Sequence, residues 1–119
     1  MRPLVLVPTY NERDNLRPLA GGLLSNAGVK VLVTDDNSPD GTPDEGDALA
    51  AASAGRVAVM RRSGLRGLGR SYIEGMAAAL RTDATHICQM DADFSHDPAE
   101  VPRLLDASTD GGLVIGSRY

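Results

Sequence analysis

Apolar positions in this chain come in unbroken blocks rather than in strict alternation. "PLVLVP" (3–8), "VKVLVTDD" (29–36), "RVAVM" (56–60) and "THICQM" (85–90) are short apolar runs, and "GGLVIGSRY" (111–119) reads as a fifth. A run with no polar face predicts a strand buried on both sides. The stretches between them carry helical spacing. In 11–28, Leu16, Leu19, Leu23 and Leu24 form an apolar stripe, with Asn11 the expected N-cap and Glu12 and Asp14 in the first turn. Pro18 and the pair Gly21-Gly22 interrupt that helix in its middle.

A second helix is expected from Thr42 or Asp44 to about Ala54, and a third over 70–81 after a basic, glycine-rich loop at 61–69. Asp97, Pro98 and Glu100 have the N-cap, N1 and N3 chemistry of a fourth helix. Pro102 should cost that helix one backbone bond or shift its start. Strand–helix alternation with strands this apolar predicts an α/β fold. Its sheet is open and mostly parallel, with helices on both faces. Ligands of such sheets sit outside the carboxyl ends of the strands.

The unusual residues collect at those ends. The first tip carries Pro8, Thr9, Tyr10, Asn11 and Glu12; the second carries Asp35, Asp36 and the turn "NSPDGT". The third carries Arg61, Arg62, Arg66 and several glycines; the fourth carries Asp91, Asp93, Ser95 and His96; the fifth ends in Ser117, Arg118 and Tyr119. Carboxylates and guanidinium groups on one edge point to anionic groups handled through a cation and through arginine forks. The first turn, "PTYNER", has no glycine, which excludes a dinucleotide fingerprint, and no phosphate-binding G-x-x-x-x-G-K-[ST] loop occurs.

Composition narrows the classes further. At 42% hydrophobic and 24% charged, the chain of 119 residues has room for one small domain with its own core. A formal net charge of −4 argues against a nucleic-acid groove. Cys88 is the only cysteine, so no internal disulfide is possible. No run approaches the roughly 18 apolar residues of a membrane span, and the start "MRPLVLVPTY" is too short in apolar length for a secretory signal.

Asp91 and Asp93 stand one residue apart, so an extended segment points both carboxylates to one side. Alone, the pair is better explained by a solvated turn. At the tip of a buried strand, facing three other polar tips, it predicts a site for one hard divalent ion shared with phosphate oxygens. The turn chemistry of "NSPDGT" needs only one preceding aspartate, so the doubled Asp35-Asp36 points to an acceptor for a base or ribose. Tyr10 is either a core-edge residue or a platform for a base. His96 is expected to hydrogen-bond locally, His86 to be structural and Cys88 to be a small core residue.

Five motifs in order, "VPTYNERDNL", "TDDNSPDGT", "GLGRSYIEGM", "MDADFSHDP" and "GSRY", resemble the dolichol- or polyprenol-phosphate mannosyltransferases of glycosyltransferase family two. The resemblance covers nearly the whole chain. It implies the GT-A nucleotide-sugar-binding fold in one domain over 1–119, truncated at its C-terminus to the donor-binding half.

It also implies roles for particular residues. Pro8, Tyr10, Glu12, Thr34 and Asp36 would line the base and ribose. Asp91, Ala92 and Asp93 would hold the donor diphosphate through Mg²⁺ or Mn²⁺, with Asp91 and Asp93 the catalytic residues. Ser95 stands where some relatives have glutamine and would be a third, weaker metal contact. Arg66 and Arg118 would face the phosphates.

The implied reaction is inverting, metal-dependent transfer of mannose from GDP-mannose to a polyprenyl (dolichyl) phosphate. It would take place at the cytoplasmic membrane face, with the protein held peripherally through its acceptor. The alternatives are a nucleotide-sugar-binding domain without turnover of its own, and a relative that transfers another sugar.

Overall fold

The computed structural model describes residues 1–63, 67–108 and 112. Four strands, β1 (Pro3–Thr9), β2 (Lys30–Asp35), β3 (Val57–Arg61) and β4 (His86–Gln89), form one sheet in the order β3-β2-β1-β4. All three neighbouring pairs are parallel, with Val5 opposite Val31 and Cys88, and Val33 opposite Val59. Three helices connect the strands: α1 (Arg13–Leu24), α2 (Thr42–Ala52) and α3 (Leu68–Ala79). After β4 a 3₁₀ turn (Pro98–Glu100) leads into α4 (Val101–Ala107). This is the predicted architecture. The fifth strand expected over 111–119 falls, Gly112 apart, outside the described residues, as do Arg66 and Arg118.

Register assigns the faces. Val5, Val7, Val31, Val33 and Val57 point to one side, where they pack with Leu16, Leu19 and Leu23 of α1, Leu49 of α2 and Val101 of α4. Fully buried side chains of this size stabilise a fold by about 1.5–3 kcal/mol each, so this face is the main core. On the other side Leu6 and Thr34 meet α3 at Gly75. A Cβ there would lie 2.6 Å from Leu6 Cδ1 and 2.8 Å from Thr34 Cγ2, so only glycine lets α3 come this close to β1 and β2.

Two helix starts differ from expectation. Asn11 does not cap α1: it takes the left-handed conformation, φ 55°, and Glu12 stands at the cap position without a side-chain cap bond. The cap comes instead from the β2–α2 loop. Asn11 N–H donates to Ser38 Oγ (2.9 Å), Glu12 N–H to Thr42 Oγ1 (3.0 Å) and Arg13 N–H to Asp40 Oδ2 (3.3 Å). The Glu12 and Arg13 N–H groups are among the donors a helix start leaves unpaired, here satisfied across 27 to 30 residues of sequence. At the fourth helix Asp97 caps as expected, its carboxylate accepting Ala99 N–H at 2.9 Å. Glu100 turns forward to Arg103 (2.6 Å) rather than closing a capping box, and with Pro102 in place the α-helix proper begins only at Val101. Pro18 sits on the exposed side of α1, where the carbonyl it leaves unpaired can face water.

Candidate active site

The carboxyl ends of β1, β2 and β4, with the start of α3, surround a cleft of about 400 Å³. The β1 tip gives it Pro8, Thr9, Tyr10 and Glu12; the β2 tip gives Asp36. Gly67 and Ser71 come from the start of α3, and Asp91, Ala92 and Asp93 from the segment after β4. The structure therefore brings seven predicted site residues, Pro8, Tyr10, Glu12, Asp36, Asp91, Ala92 and Asp93, around one space. Thr34 and Ser95 are not on its wall. Thr34 is fully buried, with its hydroxyl 3.1 Å from that of Ser71, and reaches the cleft only through that serine. Ser95 is exposed beside Asp93.

The β2 tip is densely bonded. Asp35 is fully buried and accepts from Thr9 Oγ1 (2.8 Å), Ser38 N–H (2.8 Å) and Ser38 Oγ (2.7 Å). It organises the turn, whereas Asp36 faces the cleft. One Asp36 oxygen pairs with the Arg62 guanidinium and the other accepts Gly67 N–H at 2.9 Å. The Arg62 side chain is only 3% exposed and also pairs with Glu74 of α3. A charge this deeply buried must be matched, and here two carboxylates match it. Asp40 is held below its usual range: burial pushes its carboxyl up, but the bonds from Thr42 and Arg13 draw it down further.

The β4 tip is sparser. Among the described residues Asp91 accepts one hydrogen bond, from the Tyr72 hydroxyl at 2.8 Å, while its own N–H donates to His96 Nδ1 at 3.3 Å. His96 thus bonds locally, as expected. Asp93 closes an Asx turn on Ser95 N–H at 2.9 Å, and the Ser95 bonds hold its carboxyl below the usual range. Phe94 between them takes φ 64°, a conformation that costs a bulky residue about 1–3 kcal/mol and marks a constrained segment. Burial, the bond to Asp91 and the charges of Asp91 and Asp93 push the Tyr72 phenol well above its ordinary range, so it stays a donor. Among the described residues no three His, Cys, Asp or Glu side chains group as a metal site. Two carboxylates on one cleft nevertheless match what Mg²⁺ or Mn²⁺ takes from protein when substrate phosphates and water complete the shell.

Thr9 and Gly67 on the wall, and Arg62 behind it, stood among the strand-tip residues without a role of their own; Ser71 on the wall and Tyr72 behind it were not singled out by sequence. One signal was available for Arg62. The adjacent strands β2 and β3 end in Asp35-Asp36 and Arg61-Arg62, and Asp35 is in register with Arg61.

The description "Glycosyl transferase family 2" matches residues 4–119. This chain belongs to glycosyltransferase family 2. It is 50% identical over 121 residues to the polyprenol monophosphomannose synthase of Mycolicibacterium smegmatis, covering 99% of this chain and 45% of that protein. It is 47% identical over 120 residues to the undecaprenyl-phosphate mannosyltransferase of Micrococcus luteus, covering 99% and 49%. The chain thus spans less than half the length of these two relatives. Among solved structures it resembles the mannosyltransferase PcManGT of Pyrobaculum calidifontis in complex with GDP-Man and Mn²⁺. That match has TM-score 0.66 and 24% identity, over 77% of this chain and 27% of that one. At this identity the likeness shows the fold of the family-2 chain, a GT-A-like sheet with its cleft at the strand ends. Among the described residues no helix is long and apolar enough to cross a membrane.

Proposed function

We propose that this chain is the donor-binding domain, over residues 1–119, of a polyprenyl-phosphate mannosyltransferase. The observation that carries the reading is one cleft with an acceptor-bearing end at Asp36, Tyr10 and Glu12 and a carboxylate pair at Asp91 and Asp93. The names of the relatives and the GDP-Man and Mn²⁺ of the structural neighbour support it.

GDP-mannose would lie with its base and ribose against Pro8, Tyr10, Glu12 and Asp36, with Thr34 acting through Ser71. Asp36 accepts hydrogen bonds there because Arg62 and Gly67 N–H hold it in place. Asp91 and Asp93 would hold Mg²⁺ or Mn²⁺ beside the backbone of Ala92, and Ser95 would reach the ion through water while fixing the Asp93 turn. Once bound, the ion would offset the diphosphate charge and make GDP a better leaving group. Arg66 and Arg118, outside the described residues, would face the phosphates. The acceptor oxygen of a polyprenyl phosphate is already anionic, so it needs no general base, and a single displacement inverts the anomeric centre. The acceptor would bring the protein to the cytoplasmic membrane face.

Calorimetric titration with GDP and UDP in the presence of Mn²⁺, alongside a mannosyl-transfer assay on polyprenyl phosphate, tests this reading. Tighter binding of GDP with transfer of mannose is the expected result. Equal affinity for the two nucleotides would sink the GDP-mannose assignment, and GDP binding without turnover would leave a binding domain that does not catalyse on its own.

A further inference from the structure

The motif "GLGRSYIEGM" contributes a side chain that the donor-binding roles leave unused. Tyr72 lies on the first half of α3, and its half-buried hydroxyl donates to Asp91 Oδ1 at 2.8 Å. The helix that carries it is fixed at several points. Ser71 bonds Thr34 of β2, Glu74 pairs with Arg62, Gly67 N–H bonds Asp36, and Gly75 lies against Leu6 and Thr34. Asp91, by contrast, follows the last sheet pairing of β4 at Gln89, in an irregular segment. Rotation of a carboxylate about its last torsion is broad, so an aspartate on such a segment does not choose an orientation by itself. A phenol on a fixed helix chooses it. The donor occupies one lone-pair direction of Oδ1, and among the described residues Oδ2 receives no hydrogen bond.

We propose that Tyr72 is a positioning residue for the divalent-cation site. Its hydroxyl sets the Asp91 carboxylate in a single orientation, with Oδ2 turned to the ion, and ties the diphosphate end of the cleft to the helix that also braces Asp36. The proposal rests on the assignment of Asp91 and Asp93 to a cation. It adds a residue that touches neither ion nor substrate but lowers the cost of ordering the carboxylate when the ion binds.

The test is Tyr72→Phe in the full chain, which removes one oxygen and keeps the ring. Mn²⁺ binding in the presence of GDP is followed through the paramagnetic signal of the free ion, with a melting curve and metal-free GDP affinity as companion readings. The expected result is a rise of about 10-fold or more in the Mn²⁺ dissociation constant, with melting temperature and metal-free GDP affinity unmoved. Unchanged Mn²⁺ affinity in Tyr72→Phe, while Asp93→Asn weakens it, would overturn the role of Tyr72 and leave the cation site standing. A drop in melting temperature and metal-free GDP affinity together would mark Tyr72 as a packing residue and also overturn it. Unchanged Mn²⁺ affinity in Asp93→Asn would remove the cation site itself, and this proposal with it.

Discussion

At the tip of β2, Asp35 takes three hydrogen bonds from Thr9 and Ser38, and Asp36 takes a guanidinium and a backbone N–H. At the tip of β4, among the described residues, Asp91 takes one bond, from Tyr72, and Asp93 takes bonds from the serine of its own turn. Both tips face the same cleft with two acidic residues in a row or nearly so. In the first, protein donors hold both carboxylates, Asp35 as scaffold of the turn and Asp36 as an acceptor braced toward the cleft; in the second, fewer donors among the described residues engage them. A carboxylate whose acceptors are already filled is a poor cation ligand, and an unsaturated one beside a cleft is a good one. Adjacent acidic residues therefore say little until the donors around them are counted.

The largest effect expected from breaking this contrast lies at Arg62. Arg62→Ala would leave Asp36 buried with Gly67 N–H as its remaining described partner, and removing one side of a buried pair costs about 3–5 kcal/mol. Urea denaturation reads this directly. A loss well under 1 kcal/mol would mean that Asp36 is solvated through the cleft, and the two tips would no longer differ in kind.

A smaller effect is expected at Asp40, which serves the start of α2 through Thr42 and of α1 through Arg13. Asp40→Ala should cost about 1 kcal/mol, the usual value of a lost helix cap. The carboxyl titrates below its ordinary value in the folded chain, so its contribution is present in full above that value. It is lost as pH falls through the lowered one. Stability measured against pH should therefore decline on the acid side of about pH 4, and the variant should show a shallower decline. An identical acid limb would show that the Asp40 bonds add nothing to the fold.

Most of the fold was legible because each strand is a continuous apolar run, and a strand buried on both faces leaves that mark without reference to any other part of the chain. Most of the cleft wall followed from topology, since a parallel sheet gathers its strand ends on one edge. What escaped depends on distance in sequence. Asn11 has the chemistry of a cap, but the donors of the α1 start are met by Ser38, Thr42 and Asp40, which no local pattern announces. Thr34 points away from the cleft wall because its register places it under α3. Tyr72 and Arg62 act through α3, whose position follows from the close approach at Gly75. A glycine three residues after a tyrosine on an otherwise good helix was the one local hint. The fifth strand, Arg66 and Arg118 lie outside the described residues, so their expected roles stand as part of the proposal.

The contrast between the two tips is tested most directly by calorimetry of GDP binding with Mn²⁺ and with the metal chelated. The comparison is between the parent chain and the double variant Asp91→Asn, Asp93→Asn. Mn²⁺ should tighten GDP binding by about 10–100-fold in the parent and leave the variant's binding unchanged, with both chains melting at the same temperature. Metal-independent binding in the parent, or the same tightening in the variant, would contradict the assignment of the β4 carboxylates to a cation.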